Sequence, residues 1–193
     1  FTILVLGETI LAVGIGTESG LARRTLLVGA LGFLIAVAVW WLYFVGYRER
    51  VYERMLFCQT ESWRKQRRRG LVHVYSHYPI HAGIVAAGVG IAAMMEAIAT
   101  AHTPGVGARI ALGLGLFLVG SGVSHTMGQS LIGGRLLGGR VAVSAIIALT
   151  AILGGVISTT AVVGLVALAM VGLVIFEGLY PWAEPPTVSG TAQ

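Results

Sequence analysis

Aspartate is missing from this chain, cysteine occurs once, and only 11% of the residues are charged. Each shortage excludes something. Soluble domains carry about a quarter of their residues as charges, so a soluble globular fold is ruled out by composition alone. The lone Cys58 has no partner for an internal disulfide and reads as a free thiol. With no Cys/His cluster at zinc spacing, no phosphate-binding loop and no Gly-x-Ser-x-Gly, motif-based enzyme chemistry has nothing to stand on, and no enzyme is expected. The opening apolar run follows no initiator Met or charged n-region and precedes no cleavage site, so it is not a signal peptide, and the chain reads as a piece of something longer.

What is present is apolar. Of 193 residues 56% are hydrophobic and the mean hydropathy is +0.85, which implies an all-α, polytopic transmembrane bundle with the lipid bilayer as its partner. The net charge of +5 gathers beside apolar runs, so it is a topology signal and no nucleic-acid partner is expected. Eight cations stand in Arg48 to Arg69, RERVYERMLFCQTESWRKQRRR. Cytoplasmic loops of membrane proteins are enriched in Lys and Arg, which puts a basic connector over residues 48–71 on the inside.

Around that anchor about six crossing helices are expected in a membrane domain of residues 1–179, at about 1–16, 25–47, 79–101, 108–125, 141–157 and 160–176. The first would be about 24 Å long at about 1.5 Å per residue, against a hydrocarbon layer of about 30 Å, so its beginning is read as cut away. Pro79 is assigned to a first turn, because inside a helix it removes a hydrogen bond and clashes with the preceding turn. Trp40, Trp41, Tyr43 and Phe44 form an aromatic belt at the interface. Ala86-x-x-x-Gly90 and Gly120-x-x-x-Ser124 are sites of close helix approach, and residues 180–193 are expected to be a disordered tail. This path leaves ten Lys or Arg inside and three, Arg23, Arg24 and Arg109, outside, with the C-terminus cytoplasmic.

An ionisable group in hydrocarbon is costly, so each needs a partner or a role. Glu96 and Arg109 fall at the outer mouth of one helical hairpin and are read as a structural ion pair. Glu177 ends the last helix where Arg135 and Arg140 emerge, and takes the same explanation. Glu8 has no base on its own run, LVLGETILAV. A carboxyl there, with the Thr9 hydroxyl beside it and Gly7 admitting another backbone, is a proton or cation site; the alternative is a hydrogen-bonded structural acid. His73, His77 and His81 are four apart and share a face if their segment is helical throughout. His77 and His125, at neighbouring inner helix ends, are candidates to ligate haem iron or a metal, against the plainer reading of interfacial histidines bonded to loop backbone. No cofactor is expected.

Phe1 to Gly16, FTILVLGETILAVGIG, resembles the Leu-Gly-Glu signature helix of the bacterial low temperature requirement protein A family, and Trp40 to Phe44, WWLYF, and Tyr75 to Gly90, YSHYPIHAGIVAAGVG, resemble its next two blocks in the same order. The later helices resemble it through hydropathy. Members carry Asp after the aromatic block, where this chain has Val45. The family's N-terminal half, with its acidic-aromatic opening motif, is absent, so the resemblance is to a C-terminal half whose partner is the missing half. The matching positions are Gly7, Glu8, Trp40, Trp41, His77, Pro79 and Gly83. The resemblance implies a multi-pass bacterial inner-membrane protein named for a cold-growth phenotype. Three functions compete: a proton- or cation-linked transporter or channel-like protein with Glu8 in the bundle core, a structural or assembly protein in cold or stress adaptation, and a haem-binding redox protein using His77 and His125.

Overall fold

In hydrocarbon a backbone must satisfy its hydrogen bonds within its own segment, so apolar runs of this length fold as helices. The computed structural model describes residues 7, 23–44, 63–100, 106–126, 132–154 and 156–179. Among the described residues there are five helices and no strand: α1 Arg23–Phe44, α2 Trp63–Thr100, α3 Val106–Thr126, α4 Ile132–Leu153 and α5 Thr159–Leu179. Four of them hold a stretch long and apolar enough to cross a membrane: Leu26–Phe44, Gly107–Ser124, Arg135–Leu153 and Thr159–Leu179. Their outer faces are as apolar as their inner ones, with Leu112 64%, Leu168 73% and Ile152 78% exposed. A surface of that kind is stable against lipid and not against water. The chain is an integral membrane protein.

The helices form a ring, each packed on the next in chain order and α5 closing back on α1, and α2 against α3 is the most extensive contact. The core is continuous through the ring: Leu42 from α1, Ile80 and Ile84 from α2, Leu114 and Phe117 from α3, Ile147 from α4 and Met170 from α5 are all shut off from the surface. Glycine brings α2 and α3 together. A Cβ on Gly83 would fall 2.5 Å from the Phe117 nitrogen, and one on Gly113 would fall against the Ala87 nitrogen, so the two backbones touch where one of them lacks a side chain.

Two expected boundaries move. Pro79, assigned to a first turn, stands inside α2, which is one helix from Trp63 to Thr100. An internal proline costs about 3 kcal/mol, and what offsets it is tertiary: Ile80 and Ile84 are buried, and the Pro79 ring seats on Gly120 of α3. The last part of the basic connector is thereby the first two turns of α2. Likewise α4 starts at Ile132 and not at 141, carrying Arg135 and Arg140 on the helix. Gly133, Gly134, Gly138 and Gly139 weaken that segment by up to about 1 kcal/mol each. Packing prevails, because Leu136 and Arg140 are buried and Gly139 admits the Phe176 ring of α5. The turn into α5 is short and capped, with the Ala161 amide donating to Ser158 Oγ at 3.3 Å in the ordinary N-cap manner.

Of the six expected spans, residues 1–16 lie outside the described residues apart from Gly7, and the run from Pro79 becomes the second part of α2, which is not among the four crossing stretches. Residues 45–47 of the second expected span, residues 48–62 of the connector and the tail from 180 also lie outside the described residues.

Candidate functional site

The polar side chains that bond from one described helix to another, Arg140 to Glu177 and His73 to Ser124, stand toward one end of the ring, where α1, α3 and α5 finish and α4 begins. Two constellations stand there. The first is an ion pair: Arg140 Nε donates to Glu177 Oε1 at 2.7 Å and Nη2 to Oε2 at 2.8 Å, with side-chain exposures of 0% and 2%. A two-point, charge-assisted bond of this kind is the arrangement in which a guanidinium and a carboxylate tolerate burial. Arg140 Nη2 also faces the Leu42 carbonyl at 3.5 Å, one of the last four carbonyls of α1, which have no partner within their own helix. The pair thus ties α4 to α5 and reaches the negative end of α1.

The second is a ladder of imidazoles on α2. Because α2 is helical through Pro79, His73, His77 and His81 do share one face, with ring centroids 4.9 Å apart for the first pair and 5.8 Å for the second. The His77 Nδ1–H donates to the His73 carbonyl at 2.8 Å, and the Ser76 hydroxyl donates to the same oxygen at 2.7 Å. His73 Nδ1 lies 3.1 Å from Ser124 Oγ, which levels His73 with the last residue of the span in α3. The Tyr43 ring from α1 stands edge-on to His77, centroids 6.4 Å apart. His77 and His81 line an open, mostly apolar recess of about 820 Å³ with Val74, Tyr78, Val85 and Ala86. The ladder thus descends from the boundary of the apolar layer into it.

Glu8 and Thr9 lie outside the described residues, and Gly7 is exposed. Trp40 is 48% exposed with its ring 5.7 Å from that of Phe44, as an interfacial belt requires, while Trp41 turns inward onto Gly178. Gly83 is the closest-packed matching position. Arg109 is exposed at the far end of α3, and the Glu96 and His125 side chains lie outside the described residues. Among the described residues no group of three or more His, Cys, Asp or Glu is disposed to hold a metal ion. Of the two arginines offered to Glu177, Arg135 is exposed and Arg140 makes the bond. Tyr43 and Ser124, which flank the ladder, were read in the sequence as part of an aromatic belt and of a close-approach motif, and nothing in either reading tied them to the histidines.

Comparison with known proteins bears on all of this. The family model described as Bacterial low temperature requirement A protein (LtrA) matches residues 1–175. An uncharacterized protein of Rhizobium meliloti (strain 1021) is 34% identical over 91 residues, which is 47% of this chain and 21% of that protein, so the similarity spans about a fifth of that relative's length. No solved structure matches.

Proposed function

The chain belongs to the bacterial low temperature requirement A family, and from that premise we propose that this integral membrane protein is a proton- or cation-linked transporter or channel-like protein of the bacterial inner membrane, with the basic connector and the C-terminus cytoplasmic. One observation carries the reading: three imidazoles in register, descending from the boundary of the apolar layer into it beside a tyrosine. Imidazole is the side chain whose ordinary titration lies near neutrality, and ionisable groups arrayed at membrane depth are the parts from which proton relays are built. A proton path along the ladder would run through waters bridging neighbouring rings. Glu8, on the run that matches the family's Leu-Gly-Glu block, is the acid this path would serve. No catalytic step belongs to the reading.

The test is flux in proteoliposomes containing the full-length protein and a pH-reporting dye, with Glu8→Gln and His77→Gln compared to the parent. Flux that falls in both variants is the expected result; no flux in the parent, or flux unchanged in both, decides against transport. The second reading, a structural or assembly protein in cold adaptation, is favoured by the Arg140–Glu177 pair, which occupies buried charge in holding helices together. It expects Glu8→Gln to lower the amount of assembled protein in the membrane before any flux changes.

A further inference from the structure

A groove runs between the first half of α2 and the second half of α3, and nothing in the ion pair or the imidazole ladder uses it. It has a volume of about 380 Å³ and an apolar lining, with Leu71, Tyr75 and Pro79 on one wall, Leu116 and Val119 on the other, and Arg68 at the mouth. Its floor is the contact of Pro79 with Gly120. The helical period gives Arg64, Arg68, Val72, Tyr75 and Pro79 a common stripe on α2, so Arg64 stands one turn beyond Arg68 in line with the groove.

The depth of the groove decides what fits. His73 is level with Ser124, which ends the apolar span of α3. Arg68 is therefore about 7 Å outside that boundary at about 1.5 Å per residue, and the headgroup layer on one side of a bilayer is about 5–7 Å thick. Pro79 is about 9 Å inside. A cleft whose cationic mouth lies among headgroups and whose apolar body lies among acyl chains has the shape and polarity of one phospholipid. Three cations stand at or beside the mouth: Arg64, Arg67 and Arg68 are exposed, with the Arg67 guanidinium 5.5 Å above the Trp63 ring. The Glu177 carboxylate is engaged by Arg140. Tyr75, 62% exposed, stands about 3 Å inside the boundary at about 1.5 Å per residue, where amphipathic rings gather at a membrane surface.

We propose that this groove is a binding site for an anionic phospholipid, one acyl chain lying between α2 and α3 and the phosphate held by Arg68 with Arg64 beside it. Clustered cations next to a membrane helix recognise anionic headgroups, and here they open onto a built apolar slot. The site stands independently of the transport reading, since no part of it includes the imidazole ladder or Glu8.

The experiment purifies the full chain from micelles doped with equal amounts of phosphatidylglycerol and phosphatidylcholine and measures the retained lipid by mass spectrometry, with helical content checked by circular dichroism. Phosphatidylglycerol is expected to be enriched, and Arg68→Gln to lower that enrichment by about fivefold, the ratio that one interfacial cation supplies. Val119→Trp, which fills the groove from its exposed wall, is expected to lower retention of both lipids. Arg109→Gln, at the opposite end of α3, is expected to change neither. Equal retention of the two lipids by the parent overturns the proposal. So does a loss with Arg109→Gln equal to that with Arg68→Gln, or full retention in a folded Val119→Trp.

Discussion

Arg140 and Glu177 meet edge to edge inside the bundle, two nitrogens of one side chain on two oxygens of the other at 2.7 and 2.8 Å. Neither charge has water to fall back on, so each is stabilised by the other and by the packing that fixes their geometry. The pair joins the start of α4 to the end of α5, residues 37 apart in the chain, and so holds that hairpin shut at the end away from its turn.

Removing one partner strands the other. Glu177→Gln and Arg140→Met are each expected to destabilise the protein by about 3–5 kcal/mol, and the double variant Arg140→Met with Glu177→Leu to recover most of that loss, because an apolar pair has no charge to leave unpaired. Reversible unfolding in mixed micelles measures it. A double variant as unstable as the worse single variant would contradict this account of the pair.

Two glycines on one helix should respond in opposite directions. A methyl at Gly113 would run into the Ala87 nitrogen and meet the Ala86 carbonyl carbon at 2.8 Å, backbone atoms that cannot swing aside, whereas a methyl at Gly115 meets nothing within 4 Å. Gly113→Ala is expected to cost about 1–3 kcal/mol by prising α2 from α3, and Gly115→Ala to stabilise by up to about 1 kcal/mol through helix propensity. Melting temperatures of the two variants under one set of conditions suffice.

The all-helical membrane architecture was legible in the sequence because hydrophobic run length and charge placement are one-dimensional signals. The same holds for the end of the bundle at which Glu177 and Arg140 stand. What was not legible depends on neighbours. Pro79 reads as a helix start until Gly120 is found beneath its ring, and Gly133 to Gly139 reads as a loop until Leu136 and Arg140 are found buried. Gly113 gives no sign in sequence that sets it apart from Gly115, since only the position of α2 tells them apart. The ladder of His73, His77 and His81 was visible as a spacing but depended on the helix continuing through Pro79, which local propensity argues against.

The single cysteine offers a direct test of orientation. Cys58 lies in the basic connector, and if that connector is cytoplasmic as the charge bias requires, a membrane-impermeant maleimide should label it in intact spheroplasts only after permeabilisation. Labelling of intact cells at the permeabilised level would place the connector outside and invert the topology.

His73 sets a pH dependence with a definite sign. It stands level with Ser124 at the boundary of the apolar span, and burial first, then the neighbouring His77, holds its imidazole below the ordinary histidine range. The folded state therefore prefers the neutral ring more strongly than the unfolded state does. The stability this contributes is complete above the ordinary value of about 6.5 and is lost as the pH falls from there toward the lower folded value. Acidifying from about pH 7.5 to about pH 5.5, across the ordinary range of an imidazole, should lower the melting temperature of the parent. It should lower it by less in His73→Gln, which keeps a hydrogen-bonding side chain opposite Ser124 but cannot titrate. Tyr43 and His77 face the same region, so His77→Gln serves as the companion variant: equal slopes in the parent and both variants would remove the ladder as the source of acid sensitivity.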